Sequence, residues 1–437
     1  MGDVDADGRE ELILVSHVPQ GPAPDAVKLT IWGVNDRGGL ARRRVLDLGN
    51  EPLVWDVWGG LWAYDADGLL AIDPDTGART RLAELPTPLG GLGPSTPIKG
   101  RLAHDLLGQG GAQLVVHSRG RYHAYRTDGA SLGSVKAPAR GELRQEGALG
   151  GSRLRASAEP PALVIGDVDG DGLQDLVLPQ GRALAVHFTG PDGVGARRAR
   201  LALPVDLDPR EDLEPRKDEE RRRITRIWLG DLDGDGRLDL GLHRMVVSGS
   251  WFGTTAELLF AAGTGQGFGS PQIVVLDDAS FFGFTLDADG DGDTDLLIPQ
   301  MDTGLTSLGK ALVTKALPVD LDLYRFGSGG YELEPTTLLE VAQQVEGGDS
   351  PAWVYDDRSD VDGDGLPDLV RHKGEDGLEV YLARDAFSGG RATYNVDVPL
   401  PEGGQLMVHD LTGDGRAEVL VWAPRGISGT LLTAQPD

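Results

Sequence analysis

A nine-residue pattern, Asp-x-Asp-x-Asp-Gly-x-x-acid followed at once by an apolar run, occurs five times in this chain. The copies begin at Asp3 (DVDADGREE), Asp167 (DVDGDGLQD), Asp231 (DLDGDGRLD), Asp287 (DADGDGDTD) and Asp360 (DVDGDGLPD). A sixth, at Asp410 (DLTGDGRAE), departs only at Thr412 in the third position. Two segments are worn copies: HDLLGQGGAQLVV keeps Asp105 but has Gln109 and Gln113 where carboxylates stand elsewhere, and VWDVWGGLWAYD keeps Asp56 with a shortened loop. Successive copies lie 53, 49, 62, 64, 56, 73 and 50 residues apart. A recurrence of that length signals one supersecondary unit repeated, each too small to bury a core alone.

Each interval carries the same order of strand signals. The loop leads into a β-rich run such as DLVLP or EVLVW, then a second such as ALAVHF, then a Gly-centred turn and a third, before an apolar run enters the next loop. Four short strands per unit with turns between sequential neighbours predict an all-β β-propeller of four-stranded antiparallel blades. Eight units are counted, so eight blades are expected, or seven if terminal strands share one. No Pro- or Ser-rich linker divides the 437 residues, which read as a single domain with insertions near 206–224 and 322–352. Within the second, TTLLEVAQQVE is expected to form a turn or two of helix. ALPVDLD, present at 202–208 and 316–322, is expected at equivalent outer-strand positions.

The loop spacing suits a hard cation. Calcium takes six to eight oxygen ligands in flexible geometry, and carboxylates at positions one, three, five and nine of a tight loop, with the carbonyl of position seven, offer them. Gly at position six permits the positive φ of the reversal. The candidate ligands are Asp3, Asp5, Asp7 and Glu11; Asp167, Asp169, Asp171 and Asp175; Asp231, Asp233, Asp235 and Asp239; Asp287, Asp289, Asp291 and Asp295; Asp360, Asp362, Asp364 and Asp368; and Asp410, Asp414 and Glu418. Carboxylates this close would not all stay ionised without a cation. The plain alternative, that Asp-Gly pairs are only good hairpin turns, is weakened by six loops in register with a repeat. An EF-hand shares the opening but needs Glu at position twelve, where this chain has Leu14, Leu178, Leu242, Ile298 or Arg371. Magnesium prefers fewer carboxylates. About six Ca²⁺ sites are expected, and none at Asp56 or Asp105.

On its GDxDGDGxxDL loops and the turn GTGQGFGSP (263–271), the chain resembles the FG-GAP/VCBS repeat family, the blades of integrin α-subunit propellers and of many bacterial secreted proteins. The resemblance covers essentially the whole chain. It implies that each loop joins the two inner strands of a blade and binds Ca²⁺ through the acids named above, with Thr412 a departure from the pattern. It does not name a partner, because one fold hosts many functions.

The formal charge of −28 disfavours nucleic acid and anionic membrane surfaces. The absence of Cys removes disulfides, thiolate metal sites and cysteine nucleophiles, and no apolar run approaches a membrane span. The scattered His residues form no HExxH spacing, and Ser16-His17 and His117-Ser118 lack a nucleophile elbow, so no catalytic residue is assigned. Trp55, Trp58 and Trp62 gather in the unit without a full loop; filling that blade is favoured over a stacking platform for a sugar or peptide. The expected function is a calcium-stabilised binding propeller, extracellular, on the cell surface or periplasmic, with a protein or glycan partner. A polysaccharide-lyase-like enzyme and a structural module of a larger surface protein are the alternatives. The start inside a structural unit points to sequence upstream.

Overall fold

The computed structural model describes residues 2–5, 9–20, 23–35, 39–49, 54–85, 98–146, 153–203, 221–248, 255–264, 267–276, 279–280, 283–301, 316–327, 329–344, 353–354, 359–372, 377–384, 391–397, 405–423 and 426–432. Most of the insertion expected near 206–224 and part of that near 322–352 lie outside them. The protein is all-β, built of small antiparallel sheets of the β-propeller blade type. It divides into two compact units, Met1–Leu201 and Ala202–Asp437.

The sheet at Val164–Gly166, Asp175–Gln180, Ala183–Gly190 and Gly193–Ala202 shows the plan, with strands hydrogen-bonded in chain order. Its acidic loop joins the first two strands, and Asp175, the ninth residue of the pattern, opens the second strand opposite Gly166. The first unit also holds a three-stranded sheet (Leu12–Gln20, Ala23–Val34, Leu40–Gly49), a five-stranded sheet running from Val54 to Lys99 and a four-stranded one from Ala103 to Lys136. The second unit repeats the plan from Arg221 to Leu276, from Ala279 to Gln344 and from Trp353 to Asp397, and ends with three strands from Gln405 to Leu432. Its ninth-position acids take the same place: Asp239 opposite Gly230, Asp295 opposite Leu286, Glu418 opposite His409.

Burial follows from packing sheet on sheet. Leu114 and Val116 meet Trp62 and Tyr64 of the preceding sheet, whereas Val115, between them, meets Leu176 and Leu178 of the following one. Leu296 and Ile298 pack with Phe260 on one side, and Leu297 with Leu369 and Tyr381 on the other. Strand side chains alternate between faces, so a second strand covered on both sides reads as a continuous apolar run. Fourth strands such as Gln272–Leu276 are half exposed.

Two expectations are corrected. Thr336–Gln344, in the segment expected to be helical, is a strand paired with Ala316–Tyr324. A waiting sheet edge outweighs weak local helix preference. The two copies of ALPVDLD are not equivalent: 316–322 lies on the third strand of its sheet, whereas Ala202 ends the fourth strand of another, and the rest of that copy after Leu203 lies outside the described residues. Sheet position is set by pairing partners, which a heptapeptide does not encode. Among the described residues, no helix is long and apolar enough to cross a membrane.

Candidate metal centres

Each loop is first organised by its own backbone. The carboxylate of the first Asp accepts loop N–H groups: Asp167 from Gly170, Asp171 and Gly172; Asp360 from Gly363, Asp364 and Gly365; Asp410 from Gly413, Asp414 and Gly415. Such bonds need two reversals, supplied by glycines at the fourth and sixth positions, for example Gly170 (φ 74°) and Gly172 (φ 83°). The fourth-position glycine was not singled out from the pattern.

The ninth-position acid does something different. Asp175 is fully buried, its Oδ2 accepting from Val168 N–H at 3.1 Å and its Oδ1 from Thr189 N–H at 2.8 Å. Asp239 is held in the same way by Leu232 and Gly263, Asp295 by Ala288 and Phe326, and Asp368 by Val361 and Ala383. These acids tie the loop to the end of the third strand. Burial pushes Asp175, Asp239 and Asp295 up to about 6 and Asp368 up to about 7; the backbone donors oppose this, and the neighbouring loop carboxylates add to it. Glu418 is likewise raised by burial.

Carboxylate oxygens converge within 4.8 Å in five groups: Asp3, Asp5 and Glu11; Asp167, Asp169 and Asp175; Asp231, Asp233 and Asp239; Asp287, Asp289 and Asp291; Asp360, Asp362 and Asp368. The fifth-position acids Asp171, Asp235 and Asp364 stand outside these groups, each accepting the N–H two residues on, from Leu173, Arg237 and Leu366. Asp295 also stands outside its group. Among the described residues Asp410, Asp414 and Glu418 form none; there Thr412 Oγ1 donates to Glu418 Oε1 at 3.1 Å, a hydroxyl where the other loops carry a third carboxylate. Asp7 lies outside the described residues.

The donor set is oxygen throughout, as hard divalent cations require. Asp169 Oδ1 is buried with no hydrogen-bond partner among the described residues. Asp362 Oδ2, by contrast, faces Arg384 Nη1 at 2.8 Å as an ion pair. A buried carboxylate oxygen left as Asp169 Oδ1 is fits a cation at the centre of the loop.

Arginines were the unread part of these sites. Arg197 pairs with Asp169, Arg325 with Asp289 at 3.8 Å, and Arg43 with Asp5 at 3.3 Å. Arg197 lies on a fourth strand, Arg43 on the third strand of its sheet and Arg325 directly after a third strand, at no fixed distance from the loop, so no motif announces them. In the worn copies the polar groups serve the frame. Asp56 Oδ2 accepts from Leu102 and Ala103 N–H, bridging two sheets, and Asp105 caps Gln109 and Gly110. Gln113 bonds Leu107 N–H and Gly111 C=O across its own loop. Trp55 and Trp62 are buried and Trp58 is 38% exposed. His117 Nε2 meets the Ala137 carbonyl at 2.7 Å.

No protein-family model matches the chain, and no curated protein matches it. Among solved structures it is similar to an Agrocybe aegerita lectin described by its specific recognition of non-reducing terminal N-acetylglucosamine, at 15% identity over 86% of each chain with a TM-score of 0.47. It is also similar to the Vibrio cholerae biofilm matrix protein Bap1, at 10% identity over 98% of this chain and 67% of that one with a TM-score of 0.26. A third is an endo-arabinase from Bacteroides thetaiotaomicron, at 13% identity over 60% of this chain and 90% of that one with a TM-score of 0.26.

Proposed function

We propose that this protein is a calcium-stabilised β-propeller that presents a surface to a protein or glycan partner outside the cell, without catalysis of its own. The observation that carries the metal reading is the convergence of acids at one strand junction in five sheets. Calcium supplies, when bound, the positive charge that keeps these buried carboxylates ionised; Asp175, Asp239 and Asp368 hold the loop to the third strand, and Asp167, Asp231 and Asp360 hold its reversal. The resemblance of the loops to FG-GAP/VCBS repeats supports the choice of metal and the location outside the cell. Calorimetric titration with Ca²⁺ after chelation tests this: absence of saturable binding would remove the metal from the reading.

The ring is read as eight blades, one per acidic or worn loop, or as seven if terminal strands share a blade; averaged electron micrographs down the ring axis count them directly. The glycan partner is supported by Trp58, exposed at the turn where other sheets carry acidic loops, an aromatic face suited to stacking on a sugar ring. A glycan array run beside a lyase assay on acidic polysaccharides separates binding from cleavage, and Trp58→Ala should abolish an array signal that depends on that ring.

A further inference from the structure

We propose that the first acidic loop is closed by the guanidinium of Arg43 and not by a metal ion, an inference that rests on reading the other acidic loops as cation sites. In four of those loops the ninth-position acid is an Asp whose second oxygen accepts a backbone N–H, from Thr189, Gly263, Phe326 or Ala383. Their arginines Arg197, Arg325 and Arg384, 61%, 40% and 49% exposed against 33% for Arg43, pair among the described residues with the third-position Asp and not with the ninth-position acid.

The first loop is built differently. Its ninth acid is Glu11, fully buried, with Oε2 on the Val4 N–H at 3.0 Å and Oε1 receiving Arg43 Nη1 at 2.6 Å. The same nitrogen lies 3.3 Å from Asp5 Oδ2. One positive group therefore bridges the third and ninth positions, the pair that together with the first position converges in three of the other loops. A divalent ion there would sit against a guanidinium of like charge.

Two backbone features deliver Arg43 to that place. The pairing of Ala23–Val34 with Leu40–Gly49 slips between Ile31 and Trp32, which face Arg44 and Arg42 and leave Arg43 as the extra residue of a β-bulge. Bulges re-aim a side chain. Opposite, Gly33 leaves the space the guanidinium fills, for a Cβ at that position would collide with Nε and Cζ of Arg43. Bulge, glycine and twin carboxylate contacts all serve one side chain.

The test counts ions on the full chain by equilibrium dialysis against Ca²⁺ after chelation. Arg43→Ala should bind one ion more than the wild type, whereas Arg197→Ala should bind no more. An unchanged count for Arg43→Ala would overturn the proposal. If that variant does not fold, Asp5→Asn decides: its count should equal the wild type, and the loss of one ion would overturn the proposal. A wild type that binds no calcium would instead sink the reading of the other loops, and the difference between Arg43→Ala and wild type would still judge this one.

Discussion

The backbone N–H of Thr294 donates to the carbonyl of Leu232 at 2.8 Å, joining the eighth residue of one acidic loop to the second residue of the loop before it. The same position recurs in Gln174, which donates to Leu106, and in Ala417, which donates to Asp360. At Asp360 the eighth residue is Pro367, which has no N–H to give. The loops thus stitch neighbouring sheets as well as turning the chain.

Calcium should raise the melting temperature and chelation lower it. An ion that binds the native loop but not the unfolded chain stabilises by about 2.7 kcal/mol at a hundredfold excess over its dissociation constant. Differential scanning calorimetry in Ca²⁺ and in EDTA measures this, and coincident transitions would count against bound metal.

Without calcium, stability should fall as pH rises from about 4 to about 7. Asp175, Asp239, Asp295 and Asp368 have native pKa values raised by burial to about 6, 6, 6 and 7, above the ordinary carboxylate value. The native state then holds protons the unfolded state has released, so this contribution is fully present below the unfolded pKa and is lost as pH passes through the folded one. Calcium favours the ionised form and should flatten or reverse the slope. Melting curves across this range, with and without EDTA, decide the sign.

Asp295→Ala should destabilise the protein with or without metal, because it leaves the N–H groups of Ala288 and Phe326 without their acceptor. Each such loss costs about 1–3 kcal/mol. Asp289→Asn, at an exposed residue facing Arg325 at 3.8 Å, should change little in EDTA and should weaken the response to calcium. Denaturant unfolding of both variants in both conditions separates frame from ligand.

Leu176→Ala should cost about 2–5 kcal/mol, since Leu176 is fully buried where two sheets meet. Leu333→Ala, at a residue 67% exposed, should stay within about 0.5 kcal/mol of wild type. Equal effects in urea unfolding would contradict packing between sheets as the source of the core.

The repeat and its β character were legible in the sequence, because they are local. An Asp-x-Asp-x-Asp-Gly pattern dictates a tight reversal wherever it occurs, and apolar runs on either side dictate strands. Thr336–Gln344 was misread because its strand form depends on an edge provided by Ala316–Tyr324, and Thr337 Oγ1 meets Asp322 there at 2.6 Å. The tertiary structure alone decided which acids converge. Asp171 turned to its own backbone, Asp175 was claimed by Thr189, and Arg43 reached Glu11 from 32 residues away. Those outcomes depend on strand register and on one bulge, and a shift of a single residue in pairing would send the same side chains to the opposite face.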